Sequence, residues 1–205
     1  MTAEDAAFGA RPVPKGIATE AFAKVEVRTI DELDSWLEAH HASEASVWLI
    51  TFKKHVPDRY ITMSDTLDVL MRHGWIDGLR RKLDDDRTMQ LISKRRQQKW
   101  SQSYKDRVER LTANGRMRPW GLAAVADAKR NGTWDAYTDV DALVVPDDLT
   151  YAFSAAGRGY FDQCGASYQR NVLRWVAQAK GQSTRRARIA KLAEACANGR
   201  RLPQM

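Results

Sequence analysis

The sequence predicts an α+β fold: a small antiparallel sheet with two helices, followed by an all-helical C-terminal lobe. Three observations carry this prediction. Short β-branched and aromatic runs occur only in the first hundred residues, where two helical patterns interrupt them. From Ser101 onward the apolar residues recur with helical spacing only, and several of those segments stop at a glycine. The chain has 205 residues, 43% of them hydrophobic, with seven tryptophans, enough for one good core or two small lobes that share an interface. The expected division is a leader over 1–24, an α+β lobe over 25–100 and a helical lobe over 101–205.

The leader mixes Gly, Pro, Ala and charge without a sustained period and reads as extended and partly mobile. Val25 to Val27 suits a short strand. Thr29 followed by Glu32 is a capping box, and Ile30, Leu33, Trp36 and Leu37 fall on one face of a helix that runs to about His41. Ser46 to Lys53 is apolar on both faces, as expected for the middle of the sheet. Thr62 or Ser64 then caps a helix that carries Leu67, Leu70 and Met71, and Gly74 stops it.

The stretch from His73 to Ser101 comes next. Asp84-Asp85-Asp86-Arg87 has the residue types of a turn between two partly alternating runs. This predicts a hairpin that sets Lys82 near Met89 and Arg80 near Leu91. Arg80, Arg81, Lys82, Lys94, Arg95, Arg96 and Lys99 lie on or just beyond that ribbon.

Beyond it, Ser101 or Ser103 caps a helix that ends at Gly115, and Pro119 opens another that ends at Gly132. Val145-Pro146-Asp147-Asp148-Leu149 is a further helix start, and Gly157-Arg158-Gly159 reads as a hinge or tight turn that breaks it. Ser167 to Lys180 and Thr184 to Asn198 close the chain as two more helices. Past Asp162, nine cations stand against Glu194 alone, so essentially all of the net charge of +7 lies in the C-terminal helices. That asymmetry fits either a binding face or a lobe docked on acidic residues earlier in the chain.

Gly74-Trp75-Ile76-Asp77-Gly78, Trp100-Ser101, Gly115-Arg116-Met117-Arg118-Pro119, Ala128-Lys129-Arg130-Asn131-Gly132-Thr133-Trp134 and Val145-Pro146-Asp147-Asp148-Leu149 resemble the bacterial YdeI/OmpD-associated family of bacteriocin-protection proteins. Ala179-Lys180-Gly181-Gln182-Ser183-Thr184-Arg185-Arg186-Ala187-Arg188-Ile189 looks like that family's closing helix pair. The resemblance runs from about Arg28 to Arg201, with 145–201 as the OmpD-associated helical segment. It implies an accessory role in envelope stress or protection from bacteriocins and antimicrobial peptides, and no catalytic residues carry over. Arg72-His73, Lys94 and Tyr104 depart from the family pattern, where a small residue and an aromatic, a proline and an asparagine are more usual.

The residues themselves bound the chemistry. A pI near 9.5 favours an acidic partner: nucleic acid, anionic lipid or a phosphorylated ligand. Arg80, Arg81, Lys82, Arg95, Arg96 and Lys99 of the ribbon, with Arg185 and Arg188 of the last helix, are the anion-binding candidates. Trp75, Trp100 and Tyr104 are candidates to line a pocket or stack on a base. Asp77 is the one candidate acid/base, and its structural alternative is to hold Arg80, Arg95 or a backbone turn. No nucleophile, metal motif or second carboxylate accompanies it. The four histidines lack ligand spacing and the two cysteines are far apart, so no metal and no cofactor is expected. No apolar run reaches the ~18 residues of a membrane span, and a cytoplasmic protein is expected. The leading reading is a non-enzymatic accessory protein that binds an anionic partner through the basic hairpin. Nucleic-acid binding proper is the alternative, and an enzyme built on Asp77 comes third.

Overall fold

The computed structural model describes residues 21–43 and 45–203, so nearly all of the expected leader lies outside the described residues. A four-stranded sheet carries the N-terminal part: β1 (Lys24–Glu26), β2 (Val47–Phe52), β3 (Trp75–Lys82) and β4 (Arg87–Lys94), in the order β1-β2-β4-β3. α1 (Ile30–Ala39) crosses from β1 to β2 and α2 (Met63–Arg72) from β2 to β3. One pair departs from the expected antiparallel sheet, because β1 runs parallel to β2, with Val25 beside Leu49. A helix as connector requires this: a strand that returns through α1 re-enters the sheet in the same direction. Thr29 and Thr62 cap as the sequence predicts, Thr29 Oγ1 accepting from Glu32 N at 3.1 Å and Thr62 Oγ1 from Asp65 N at 3.1 Å, whereas Ser101, at the N-cap of the next helix, makes no side-chain capping bond and meets the Ser103 hydroxyl instead.

The rest of the described chain is helical: α3 (Gln102–Ala113), α4 (Pro119–Arg130), α5 (Thr138–Asp141), α6 (Asp147–Ala152), α7 (Ala155–Gln163), α8 (Ala166–Ala177) and α9 (Gln182–Ala197). Gly157 and Gly159 do not make a hinge; both lie inside α7, which Ser154 caps through the Gly157 amide at 3.1 Å. Gly157 is there for packing. A Cβ on it would come within 3.2 Å of the Ala197 nitrogen, so its absence lets α7 lie close against α9.

Three apolar clusters divide the interior. One joins the sheet to α1 and α2 through Leu33, Leu37, Leu49, Leu70, Trp75 and Ile92. A second bridges Met71 of α2 to Trp100, Leu111 of α3 and Val125 of α4. The third lies within the C-terminal helices around Leu149, Phe161, Val172 and Leu192.

The bridging layer depends on a close approach. α4 crosses the end of α2 so tightly that a Cβ on Gly121 would sit 2.2 Å from the Arg72 carbonyl oxygen, and one on Gly74 would sit 2.9 Å from that of Trp120. Gly74 also has φ of +71°, which costs a glycine little. Beside this crossing lies a buried polar cluster. His73 is 1% exposed; its Nε2 donates to Asp34 at 2.8 Å, and its Nδ1 accepts from the Trp120 indole at 3.0 Å. Arg72 and Arg118 reach the same Asp34 carboxylate. Burial raises the Asp34 carboxyl, but the His73 hydrogen bond and the Arg72 charge outweigh it and hold it below its ordinary value. Burial dominates for His73 and pushes the imidazole down despite the pull of Asp34.

Two outcomes are expected. Gly121→Ala must displace backbone and lowers stability by roughly 2 kcal/mol or more, whereas Gly159→Ala, in open space within a helix, raises it by roughly 0.5–1 kcal/mol; urea midpoints compare them. Burial holds the His73 imidazole below its ordinary value in the fold, so as pH falls through 6.5 the unfolded chain takes up the proton first and stability drops. Urea midpoints should therefore fall between about pH 7.5 and about pH 5, and His73→Phe should flatten that decline.

Candidate anion-binding site

The hairpin forms, but one residue out of the expected register: Lys82 pairs with Thr88, Arg81 with Met89 and Arg80 with Gln90. Asp84 sets the turn, its Oδ1 accepting from the amides of Asp86 and Arg87 at 3.0 and 2.7 Å, so β4 begins at Arg87. An irregularity between Asp77 and Arg80 shifts the pairing once more, and Asp77 lies opposite Ile92.

This register scatters the ribbon's cations. Arg80 donates to Thr88 Oγ1 at 3.2 Å, Arg81 lies over the Trp48 ring and Lys82 pairs with Asp85 at 2.6 Å, all toward the turn. At the other end Lys94, Arg95 and Arg96 gather around a cleft of about 730 Å³, closed on its far side by Ala124, Asp127, Arg130 and Asn131 of α4 and its C-terminus. Sequence reasoning missed Arg130, which pairs with Asp127 three residues before it. Nothing in the local pattern of α4 marks it, since its approach to the hairpin is a tertiary fact. Lys99 points away, toward the Tyr137 ring.

Arg95 is the unusual member, with only 6% of its surface exposed. Its backbone amide donates to Gly74 O at 2.8 Å, and its guanidinium lies 3.8 Å from the centre of the Trp100 ring and 5.0 Å from that of Tyr104. Nη1 donates to the Gln98 carbonyl at 3.3 Å, while Nε and Nη2 have no acceptor among the described residues. Burial brings the group down to about 10, against the opposing pull of Tyr104 and Asp77. An unpaired buried donor costs roughly 1–3 kcal/mol, so this side chain is held under electrostatic load.

Asp77 sits beside it and is occupied. Oδ1 accepts from the Tyr104 hydroxyl at 2.6 Å and Oδ2 from Gln90 Nε2 at 3.0 Å. Burial, then the hydrogen bond to Asp77, pushes the Tyr104 phenol up, so it remains a donor at neutral pH. The arrangement ties β3, β4 and α3 together and leaves neither carboxylate oxygen without a donor. Trp75 and Trp100 are each 1% exposed and pack inside, Trp75 edge-on to Trp36 and Trp100 against Trp134 at 5.0 Å. Among the three aromatic candidates only Tyr104 is half-buried rather than sealed in.

The C-terminal cations partner within their own lobe. Arg185 meets Asp148 through two bonds of 2.6 and 2.8 Å, Arg188 donates to the Trp175 carbonyl and lies over its ring, and Arg174 reaches Asp141 at 3.3 Å. Cys164 and Cys196 are buried free thiols, and burial pushes Cys196 up to about 11. Among the described residues no group of three His, Cys, Asp or Glu side chains gathers as a metal site would need. None of their helices is long and apolar enough to cross a membrane.

Residues 142–199 match the family model described as Bacteriocin-protection, YdeI or OmpD-Associated. That stretch is similar to the YdeI/OmpD-associated family. Residues 25–124, which hold the sheet, the hairpin and the Gly-Trp-Ile-Asp-Gly core, match a different model, a domain of unknown function, DUF8412. The resemblance that runs from Arg28 to Arg201 thus resolves into two matches, and the YdeI/OmpD-associated one starts at α6 and its approach, beyond the cleft. No curated protein and no solved structure matches the chain.

Asp77→Ala should strand the Tyr104 hydroxyl and the Gln90 amide and remove the carboxylate nearest Arg95. Chemical denaturation should show a loss of about 2–3 kcal/mol, and Tyr104→Phe, which removes one donor only, a loss of about 1 kcal/mol.

Proposed function

We propose that the protein is a cytoplasmic, non-enzymatic accessory protein of the YdeI/OmpD-associated type, acting in bacteriocin or antimicrobial-peptide protection by binding an anionic partner at the cleft between the hairpin and α4. The observation that carries the reading is charge convergence: Lys94, Arg95, Arg96 and Arg130 surround one cleft in which Asp127 is the lone carboxylate. Cations around a concave surface focus their field outward and favour an anion there over one on a flat face. The YdeI/OmpD-associated match supplies the accessory class. Asp77, with both oxygens already bonded, supports a structural role over catalysis. The free, buried cysteines suit a reducing compartment. Arg185 and Arg188, engaged within the helical lobe, contribute to its packing rather than to the partner surface.

A polarisation titration with labelled heparin and with single-stranded DNA at two salt concentrations tests this. Wild-type binding should weaken steeply with salt, and Arg96→Glu/Arg130→Glu should reduce affinity by at least about tenfold and lower the salt slope. Arg80→Glu/Lys82→Glu, at the turn end of the same hairpin, should change it by no more than about twofold. Binding that prefers DNA to heparin would turn the reading toward nucleic acid. Absence of binding at low salt would falsify it.

A further inference from the structure

The segment Arg96–Lys99, exposed throughout, bonds through the Gln98 carbonyl to a guanidinium whose Nε and Nη2 have no acceptor among the described residues. The stacking on Trp100 and the bond from Nη1 to Gln98 O already fix the Arg95 side chain. Its Nε–H and Nη2–H remain, and these two point from the same edge of the guanidinium plane. That edge matches two oxygens of a single carboxylate or phosphate. A structural arginine would have this edge on a carbonyl or carboxylate of its own chain; Asp77, the carboxylate in its neighbourhood, is committed to Tyr104 and Gln90.

We propose that this edge of Arg95 is the seat of a phosphate monoester group, on a ligand that enters from the cleft and displaces the Arg96–Lys99 segment, an assignment that rests on the anion-binding role of the cleft. Charge decides between the two oxyanions. Lys94, Arg96 and Arg130 stand around the same cleft with one carboxylate among them, and a dianion gains more from that field than the single charge of a carboxylate. The segment is tethered at both ends, by Arg95 N to Gly74 O at 2.8 Å and by Trp100 N to Thr133 O at 3.1 Å. Between them the Gln98 carbonyl accepts from Arg95 Nη1, and Gln98 Oε1 accepts from Arg96 N at 2.7 Å within the segment itself. Displacing the segment gives up the Nη1 bond to Gln98 O, and a phosphate on the Nε–Nη2 edge adds two bonds that Arg95 lacks among the described residues, while both ends stay anchored.

The experiment is a titration of the full chain with inorganic phosphate, with acetate at matched ionic strength as the control. It is followed by the Arg95 Nε–H resonance and by calorimetry. Saturable movement of that resonance with phosphate and not with acetate is expected. Arg95→Lys keeps the charge and loses the edge; it should weaken phosphate binding at least about tenfold, whereas Arg80→Lys, at the turn end of the hairpin, should leave it within about twofold. Glycerol 3-phosphate against an oligonucleotide with and without a 5′-phosphate separates a small phosphorylated molecule from a nucleic-acid end as the source of the group. A wild-type Arg95 resonance that does not respond to phosphate overturns the proposal, whether or not the variant folds. If heparin still binds in a salt-dependent way in that case, the cleft reading survives without it, and if heparin fails too, both fall.

Discussion

The contact on which the rest of this architecture depends is the crossing of α4 over the α2–β3 corner at Gly74 and Gly121. Backbone meets backbone there, with the Arg72 and Trp120 carbonyls where side chains would otherwise be. Arg118 N donates to Arg72 O at 3.1 Å in the same place. The crossing fixes α4 relative to the hairpin, because Gly74 also accepts the Arg95 amide. One glycine therefore positions both walls of the cleft, Arg95 from the hairpin side and, through α4, Arg130 from the other. The buried Asp34–His73–Trp120 chain of hydrogen bonds locks the same corner by a different means. An apolar seam alone would allow α4 to slide, whereas a fully bonded imidazole admits one position of the helix.

Electrostatics in this protein is mostly spent inside the fold. Arg107 and Arg110 of α3 clamp Asp68 of α2, Arg87 bridges Asp84 and Glu26, and Arg185 holds Asp148. A basic pI thus says less about partners than it first suggests, since many of these guanidinium groups are already neutralised by a neighbour. Arg95 differs in kind. It is buried deeper than the arginines of those pairs, it stacks on two aromatic rings, and two of its nitrogens meet no acceptor. Arg118 and Arg174 each have a buried Nε without a partner among the described residues, but Arg95 has two such nitrogens on one edge, which separates it from the arginines engaged in pairs.

Legibility in the sequence depended on the range of the interactions. Local devices read directly: the Thr29 and Thr62 caps, the glycine stops at Gly74, Gly115 and Gly132, and the turn at Asp84–Asp86. Properties set by distant residues did not. The hairpin register moved by one because the Asp84 carboxylate closes the turn on Arg87, which residue types in the turn do not specify. Gly157 and Gly159 looked like a break since glycine weakens helices in isolation; at Gly157 the packing of α9 on α7 reverses that preference, while Gly159 faces open space and is carried by the helix around it. Arg95 was one of seven similar cations in the sequence, and its burial, its stacking and its open edge arise only when Trp100 and Tyr104 fold over it. Arg130 had no signal at all, being brought to the cleft by a helix crossing far from the hairpin in the chain.

The two family matches divide the chain in a way the packing does not. The DUF8412 match ends inside α4, and the YdeI/OmpD-associated match starts at residue 142. Yet the core of the C-terminal helices includes Tyr137 and Val140 before that start and Leu202 after its end, with Leu202 N bonded to the Tyr168 hydroxyl at 2.9 Å. The C-terminal helices therefore complete their interior with the approach from α4, and α4 is also the wall of the cleft. Asp141 makes the same connection from the other direction, accepting the first helical amide of α3 while it pairs with Arg174 of α8. The bonds of Asp141 to α3 and α8 join the part of the chain that matches the YdeI/OmpD-associated model to the part that carries the cleft.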